Sequence, residues 1–389
     1  MDLINHLQDW VFGLPDSKFL LPLLEMRFTP EDAEFLSKIP FLPHTAEQLS
    51  VKLGIPVDEL VQRLDALAPF GFVFRAEGKT AVRYALNDAI LWFYRMPGWL
   101  GKDDEWNRKI SPLLNQYYID AMCNNFAGTH TKALRAIPIN ETVKDPRMIL
   151  PYEDIIQVLD QIKYYTVSTC ACRHRKNLDP DSKSCKHETK NCLHFDLLGH
   201  YIVDNGLGRE ITREETEEIL ASAADAGLVH GISNTSTRMD TLCNCCSCCC
   251  LFLESIVKMP PPVPRRHQVS NYTVEIDREK CKVCGLCAKR CPMGAIELTD
   301  KDYSDVLEIK GKEHMTALER KGKELVYHPD KCLGCGVCVH KCTGQALSLK
   351  HRDDDQDFPK DLREQGQRIL TEAGFDAMEI YIKNSPSAG

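Results

Sequence analysis

Cys281-Lys-Val-Cys284-Gly-Leu-Cys287-Ala-Lys-Arg-Cys291 and Cys332-Leu-Gly-Cys335-Gly-Val-Cys338-Val-His-Lys-Cys342 are two copies of one pattern, C-x2-C-x2-C-x3-C. That spacing folds three thiolates around one iron–sulfur cube and points the fourth at a second cube. The repeat extends beyond the cysteines. Val274-Glu-Ile precedes the first run as Leu325-Val-Tyr precedes the second, and Gly294-Ala-Ile-Glu-Leu is matched by Gly344-Gln-Ala-Leu-Ser. Each half reads as a strand, a cysteine loop with a short helix, and a strand.

On these motifs residues 273–350 resemble the bacterial two-cluster ferredoxin family. In that family the fourth cysteine of each run serves the other cluster. The resemblance therefore implies two [4Fe-4S] clusters, one on Cys281, Cys284, Cys287 and Cys342, the other on Cys332, Cys335, Cys338 and Cys291. Gly285, Gly334 and Gly336 would let backbone amides approach cluster sulfurs, and Pro292 follows the fourth cysteine as in the family. Thr343 stands where the second proline is usual, and the 40 residues between Cys291 and Cys332 imply an inserted loop at about Thr299 to Lys323. Structural zinc is the alternative occupant. Lys280, Lys282, Lys289, Arg290, Lys331 and Lys341 would either guide an acidic redox partner or form a solvated charged face.

The chain around this module has 389 residues, 43% hydrophobic content and a formal charge of -8, enough for two to four globular domains. Apolar runs such as Phe19–Leu24 and Ala89–Tyr94 are far shorter than the roughly 20 residues of a membrane span, and the N-terminus lacks a basic flank before an apolar core. A cytoplasmic location is expected. With no export signal, nineteen cysteines point to reduced, metal-holding thiolates rather than disulfides, and to an anaerobic or microaerobic cell.

Ten of those cysteines lie upstream: Cys170, Cys172, Cys185 and Cys192, then Cys243, Cys245, Cys246, Cys248, Cys249 and Cys250. Adjacent cysteines point in different directions, so six in eight positions cannot all grip one cube. They must serve two centres, one unusual polynuclear centre, or a mixture of ligands and free thiols. Thr212-x-x-Glu215 is expected to open a helix ending at Gly227, and Leu228-Val-His-Gly-Ile to form a short strand bringing the two cysteine groups together. Cys170-Ala-Cys172-Arg173, Gly227-Leu-Val-His230, Asn234 and the 243–250 run, with Arg135–Glu141 and Leu150–Glu153, look like a poorly characterised group of iron–sulfur proteins from anaerobes. That resemblance implies one or two further iron–sulfur clusters, with zinc or a metallothionein-like store as the alternative. Arg173, His174, Arg175 and Lys176 would offset cluster charge or bind an anion. His174, His187 and His194 are candidate extra ligands, each also readable as a hydrogen-bonding or surface residue. Cys123 stands alone and reads as a buried thiol.

Toward the N-terminus, Thr45–Leu53, a Gly54-Ile-Pro56 turn, Val57–Ala68 and two strands around Glu77-Gly78 follow the order of a winged helix, a family this stretch resembles by pattern. From Thr29 to Asn87, six Lys/Arg face eight acids, and the second helix carries Asp58, Glu59 and Asp65 with only Arg63. Phosphates would be repelled, so protein docking or a structural role is expected rather than DNA binding. Residues 88 to about 165 read as helical, with Trp92, Phe93, Trp99, Trp106 and Tyr117 in the core and breaks at Pro138, Pro146 and Pro151.

The expected architecture is α+β and multidomain: a helical, winged-helix-like part over 1–100, a mainly helical cysteine-rich module over 101–258, a Pro-rich linker over 259–272, the ferredoxin-like domain over 273–350 and a tail over 351–389. Four prolines within 260–264 would hang the ferredoxin part on a semi-rigid spacer, and the tail has an amphipathic stretch from Leu362 to Ala373. No G-x-G-x-x-G follows a strand and no P-loop occurs, which favours protein partners as electron donor and acceptor. Three functions fit: an electron-transfer protein, a reductase with its active cluster between Cys170 and Cys250, and a redox-sensing regulator acting through the winged helix.

Overall fold

The computed structural model describes residues 2–139, 142–143, 153–237, 239–258, 269–354 and 356–386. The proline run at 259–264 and the turns at Pro146 and Pro151 lie outside the described residues, as do parts of the Arg135–Glu141 and Leu150–Glu153 motifs.

Near the N-terminus, side-chain caps set the helix starts. Thr29 caps Pro30–Leu36, and Thr45 forms a reciprocal capping box with Gln48 at the head of Ala46–Leu53, which left-handed Gly54 ends. The Val57–Leu67 helix buries Leu60, Leu64 and Leu67. Strands Val73–Glu77 and Val82–Leu86 pair antiparallel, and His44–Thr45 adds to the second. Trp92, Phe93, Trp99 and Tyr117 are buried as expected, while Trp106 packs half-buried at the edge of the same core.

Between residues 101 and 258 helix outweighs strand, but the organising element is a six-stranded antiparallel sheet. Its order is Leu134–Ala136, Val229–Ser233, Thr241–Cys245, Cys192–Phe195, Tyr165–Ser168, Arg209–Ile211. The helix predicted from Thr212 runs over Arg213–Ala226, with Thr212 Oγ1 accepting from Glu215 N and Gly227 left-handed after it. The sequence announced only the Val229–Ser233 strand. These strands are three to five residues long, and Val229–Ser233 is buried throughout. A short strand covered on both faces has no polar–apolar alternation to read.

The C-terminal repeat closes by exchanging strands. Tyr272–Ile276 of the first half pairs with Leu347–His351 of the second, and Ile296–Asp300 with Lys323–Tyr327. The insertion carries the Ser304–Lys310 and Ala317–Arg320 helices. This unit is docked on the body rather than hanging from it. The Arg290 guanidinium donates to the carbonyls of Ala224 (2.8 Å) and Asp225 (3.0 Å) at the end of the Arg213–Ala226 helix. Asp225 pairs with His340 and Lys341, Ile139 N donates to the Cys335 carbonyl, and Glu153 accepts from Asn271 N.

The tail is structural. Its helices Leu362–Glu372 and Ala377–Asn384 span two units of the molecule: Gln365 Nε2 donates to the Lys132 and Ala133 carbonyls, while Asn384 Oδ1 accepts from Phe41 N. Among the described residues no helix is long and apolar enough to cross a membrane.

Candidate metal centres

In the C-terminal unit the eight cysteines surround two pockets. One is lined by Cys281, Cys284, Cys287 and Cys342, the other by Cys291, Cys332, Cys335 and Cys338, so each draws three thiols from one run and the fourth from the other. Short helices leave each loop from left-handed glycines, Leu286–Arg290 from Gly285 and Val337–His340 from Gly336. Backbone amides face the sulfurs at equivalent places in both halves: Val283 N to Cys281 and Gly334 N to Cys332, both at 3.4 Å; Ala295 N to Cys291 at 3.2 Å and Ala346 N to Cys342 at 3.3 Å. Four thiol donors around an apolar space, with N–H groups aimed at sulfur, suit a cube that carries negative charge on its sulfurs. Burial pushes the Cys335 thiol up to about 12 and Cys287 up to about 11. Such thiols ionise only where a cation offsets the charge, as a metal does. The two sets differ in exposure: Cys284 is exposed, whereas Cys332 and Cys338 are buried.

Upstream, the fold divides the ten cysteines. Cys243 and Cys245 project to one side of their strand, Cys192 comes from the neighbouring strand, Cys170 and Cys172 from the head of the Ala171–Leu178 helix, and Cys250 from the turn before Leu251–Lys258. These six line one pocket with Trp99, Leu251 and Phe252, and Cys246 borders the same pocket. Their thiols run in a chain, Cys170, Cys172, Cys250, Cys245, Cys243, Cys192, each within reach of the next, with Cys250 and Cys245 Sγ at 3.2 Å. The other four, Cys185, Cys246, Cys248 and Cys249, form a second group, with sulfurs all within 4.8 Å of one another.

Arg173 stands between the groups. Its guanidinium donates to Asn191 Oδ1 (2.7 Å), to the Glu188 carbonyl (2.9 Å) and to the Asn244 carbonyl. Burial opposes its charge, but Cys170, Cys246 and Cys245 outweigh that and raise its pKa. Arg95 behaves likewise: burial lowers its pKa, and Cys243 and Cys192 more than restore it. Arg175 is buried between the Tyr94 and Tyr118 rings, its three guanidinium nitrogens without hydrogen bonds. Lys176, also in the basic run after Cys172, pairs with Glu254.

Of the candidate histidines, His194 lies within reach of the Cys192 thiol at the edge of the six-cysteine group. His194 is buried with Nε2 2.9 Å from Ser168 Oγ and its ring against Trp99, His174 is buried near Lys102, and His187 is half-buried. Cys123 is buried in the main core. Arg95, Asn191 and Asn244 were not anticipated, although Asn191 and Asn244 are direct chain neighbours of Cys192, Cys243 and Cys245.

Residues 273–343 match the family described as a 4Fe-4S dicluster domain. The chain is also 33% identical over 92 residues to the polyferredoxin protein MvhB of Methanothermobacter marburgensis, covering 20% of this chain and 22% of that protein. The chain thus spans about a fifth of the curated relative it matches. No solved structure matches. The matched cysteine runs and these likenesses make residues 273–343 a 4Fe-4S dicluster ferredoxin domain.

Proposed function

We propose that the chain carries low-potential electrons between a redox protein partner and a second metal–thiolate centre in the six-cysteine pocket. Within the ferredoxin domain, Cys281, Cys284, Cys287 and Cys342 ligate an outer [4Fe-4S] cluster, and Cys291, Cys332, Cys335 and Cys338 an inner one. The carrying observation is the docking of the domain. Cys335 accepts a hydrogen bond from Ile139 through its carbonyl and packs against the same apolar core as Cys172, Cys243, Cys245 and Cys250. Electrons pass from the partner to the outer cluster at exposed Cys284, then to the inner cluster, then to the six-cysteine pocket. Of the six basic residues near the cysteine runs, Arg290 and Lys341 hold the body and Lys280 pairs with Asp277. Exposed Lys282 and Lys289 flank Cys284 and favour an acidic partner surface. The polyferredoxin relative supports a redox partner.

The Thr29–Asn87 elements follow the order of a winged helix, and we assign them to protein docking or support. Three of their six cations are engaged: Lys38 pairs with Glu34, Arg63 lies over the Phe35 ring beside Glu31 and Asp32, and Arg75 pairs with Asp65 and Glu77. A reductase reading draws on Arg95 and Arg173 at the six-cysteine pocket, which suit an anionic ligand. A change in the upstream spectrum on adding a small ligand would favour it.

Anaerobic iron and acid-labile sulfide analysis of the full chain, with electron paramagnetic resonance, tests the main proposal. Iron with matching sulfide clearly above the roughly eight of two cubes is expected. Eight and no more would remove the upstream cluster.

A further inference from the structure

Within a single chain the thiol sets differ in how tightly they close. Cys185 and Cys246 Sγ are 3.8 Å apart, Cys248 and Cys185 3.7 Å, Cys249 and Cys248 3.6 Å, and all four lie within 4.8 Å of one another. Four thiolates at tetrahedral corners around a metal bound at about 2.3 Å are about 3.8 Å apart. A four-iron cube needs more room, since its irons and sulfides lie between the thiolates. The ferredoxin cysteines of this same molecule illustrate that arrangement, standing apart around a pocket. Among the described residues, the Cys185 group is the one set of three or more His, Cys, Asp or Glu donor atoms drawn together this closely.

We infer that Cys185, Cys246, Cys248 and Cys249 form a mononuclear tetrathiolate site for one tetrahedral thiophilic ion, zinc or iron, separate from any cluster in the six-cysteine pocket. The fold supplies the ligands in two pieces. Cys246, Cys248 and Cys249 come from one turn leaving the Thr241–Cys245 strand, where Cys250 N donates to the Cys246 carbonyl at 3.1 Å. Cys185 comes from a segment between Leu178 and Cys192 that has no helix or strand of its own. Asn177 holds it there: its Oδ1 accepts from Cys185 N at 2.8 Å and its Nδ2 donates to the Cys185 carbonyl at 3.5 Å. Ala223 and Leu228 close the apolar side, and Cys248 is the exposed ligand. A bound ion would pin that irregular segment to the turn and the Arg213–Ala226 helix, which is how a closed structural site contributes folding energy.

The test uses full-length protein purified anaerobically, with zinc, iron and sulfide measured per chain in the natural sequence, Cys248→Ser, Cys248→His and Asn177→Ala. Expected is one metal ion beyond those matched by sulfide, lost in Cys248→Ser with sulfide unchanged, kept in Cys248→His, and bound about 10- to 100-fold more weakly in Asn177→Ala, as for an outer-shell partner. Elemental analysis identifies the ion as zinc or iron. Loss of about four sulfides along with iron in Cys248→Ser, or unchanged metal in that variant, overturns the inference. Should Cys248→Ser fail to fold, Asn177→Ala decides: unweakened binding there overturns it equally. The outcome is independent of the electron-carrier reading, which stands or falls on iron and sulfide in the six-cysteine pocket.

Discussion

The ferredoxin domain and the ten-cysteine module both gather thiols into compact sets, at opposite sequence ranges. In the first, three ligands of each set fall within seven consecutive residues, and only the fourth is imported from the other half. In the second, thiols arrive from a helix head, an irregular segment, two strands and a turn, and the six-stranded sheet is what makes them meet. A locally encoded site needs its loop; a distributed one needs the fold first. The two should therefore fail differently when single ligands are removed.

The largest effect is expected from Cys342→Ala. Cys342 leaves the second run to join Cys281, Cys284 and Cys287, so its loss removes a tie between the halves as well as a ligand. Because metal binding is folding energy in such units, the variant should lose about half of the ferredoxin iron and the cooperative melting of the domain. Anaerobic calorimetry with iron analysis decides it. A variant that keeps all its iron would break the crossed ligand sets.

Next comes Arg173→Gln. This guanidinium serves Asn191, Glu188 and Asn244 and lies among thiols of both upstream groups. Removing one partner of a buried charged set costs roughly 3 kcal/mol, and a metal–thiolate centre that loses a neighbouring cation is harder to reduce. A lower melting temperature and a more negative upstream potential are expected, with the ferredoxin potentials unmoved. Equal shifts in all centres would mean that Arg173 acts through global structure rather than through the upstream thiols.

Arg290→Ala tests the contact between the regions. Its donors reach two carbonyls at the C-terminal end of the Arg213–Ala226 helix, where a cation is favoured. Charge-assisted bonds of this kind contribute about 1.5–3 kcal/mol. Limited proteolysis should release the ferredoxin domain sooner, and photoreduced electrons should reach the upstream centre more slowly, while cluster content stays the same. An unchanged transfer rate would argue that the path does not cross this contact.

The contrast in sequence range also explains what was legible. The ferredoxin ligands could be read because their spacing is local, and the Arg213–Ala226 helix because Thr212 and Gly227 mark its ends. Most of the sheet could not: only Val229–Ser233 is marked, by the glycine that ends the helix before it, and strands of three to five residues are too short to show a period-two signal. The division of the ten cysteines depends on register. Leu193 opposite Leu242 brings Cys192 alongside Cys243, and spacing alone cannot supply that pairing. Docking has no local signal for a related reason: prolines at 260–264 read as a spacer, whereas contacts between the domain and the body are made by Arg290, His340 and Lys341, far from it in sequence.

The smallest expected effect lies within the ferredoxin repeat. Val283 and Gly334 occupy equivalent places two residues after the first cysteine of each run, and both have positive φ, 58° and 70°. Gly334 is required, since a Cβ there would lie 2.2 Å from the Tyr272 carbonyl oxygen. Val283 adopts the same backbone with a β-branched side chain, an arrangement that costs on the order of 1–3 kcal/mol. Val283→Gly relieves that strain but gives up partial packing against the apolar cluster of the ferredoxin domain and adds unfolded-chain entropy of about 0.5–1 kcal/mol. The balance favours a gain of about 1 kcal/mol, read as a higher anaerobic melting temperature with both clusters retained. A fall in melting temperature would show that Val283 packing outweighs its backbone strain. Gly334→Val should destabilise in either case, so the pair of variants separates strain from space at one position of the repeat.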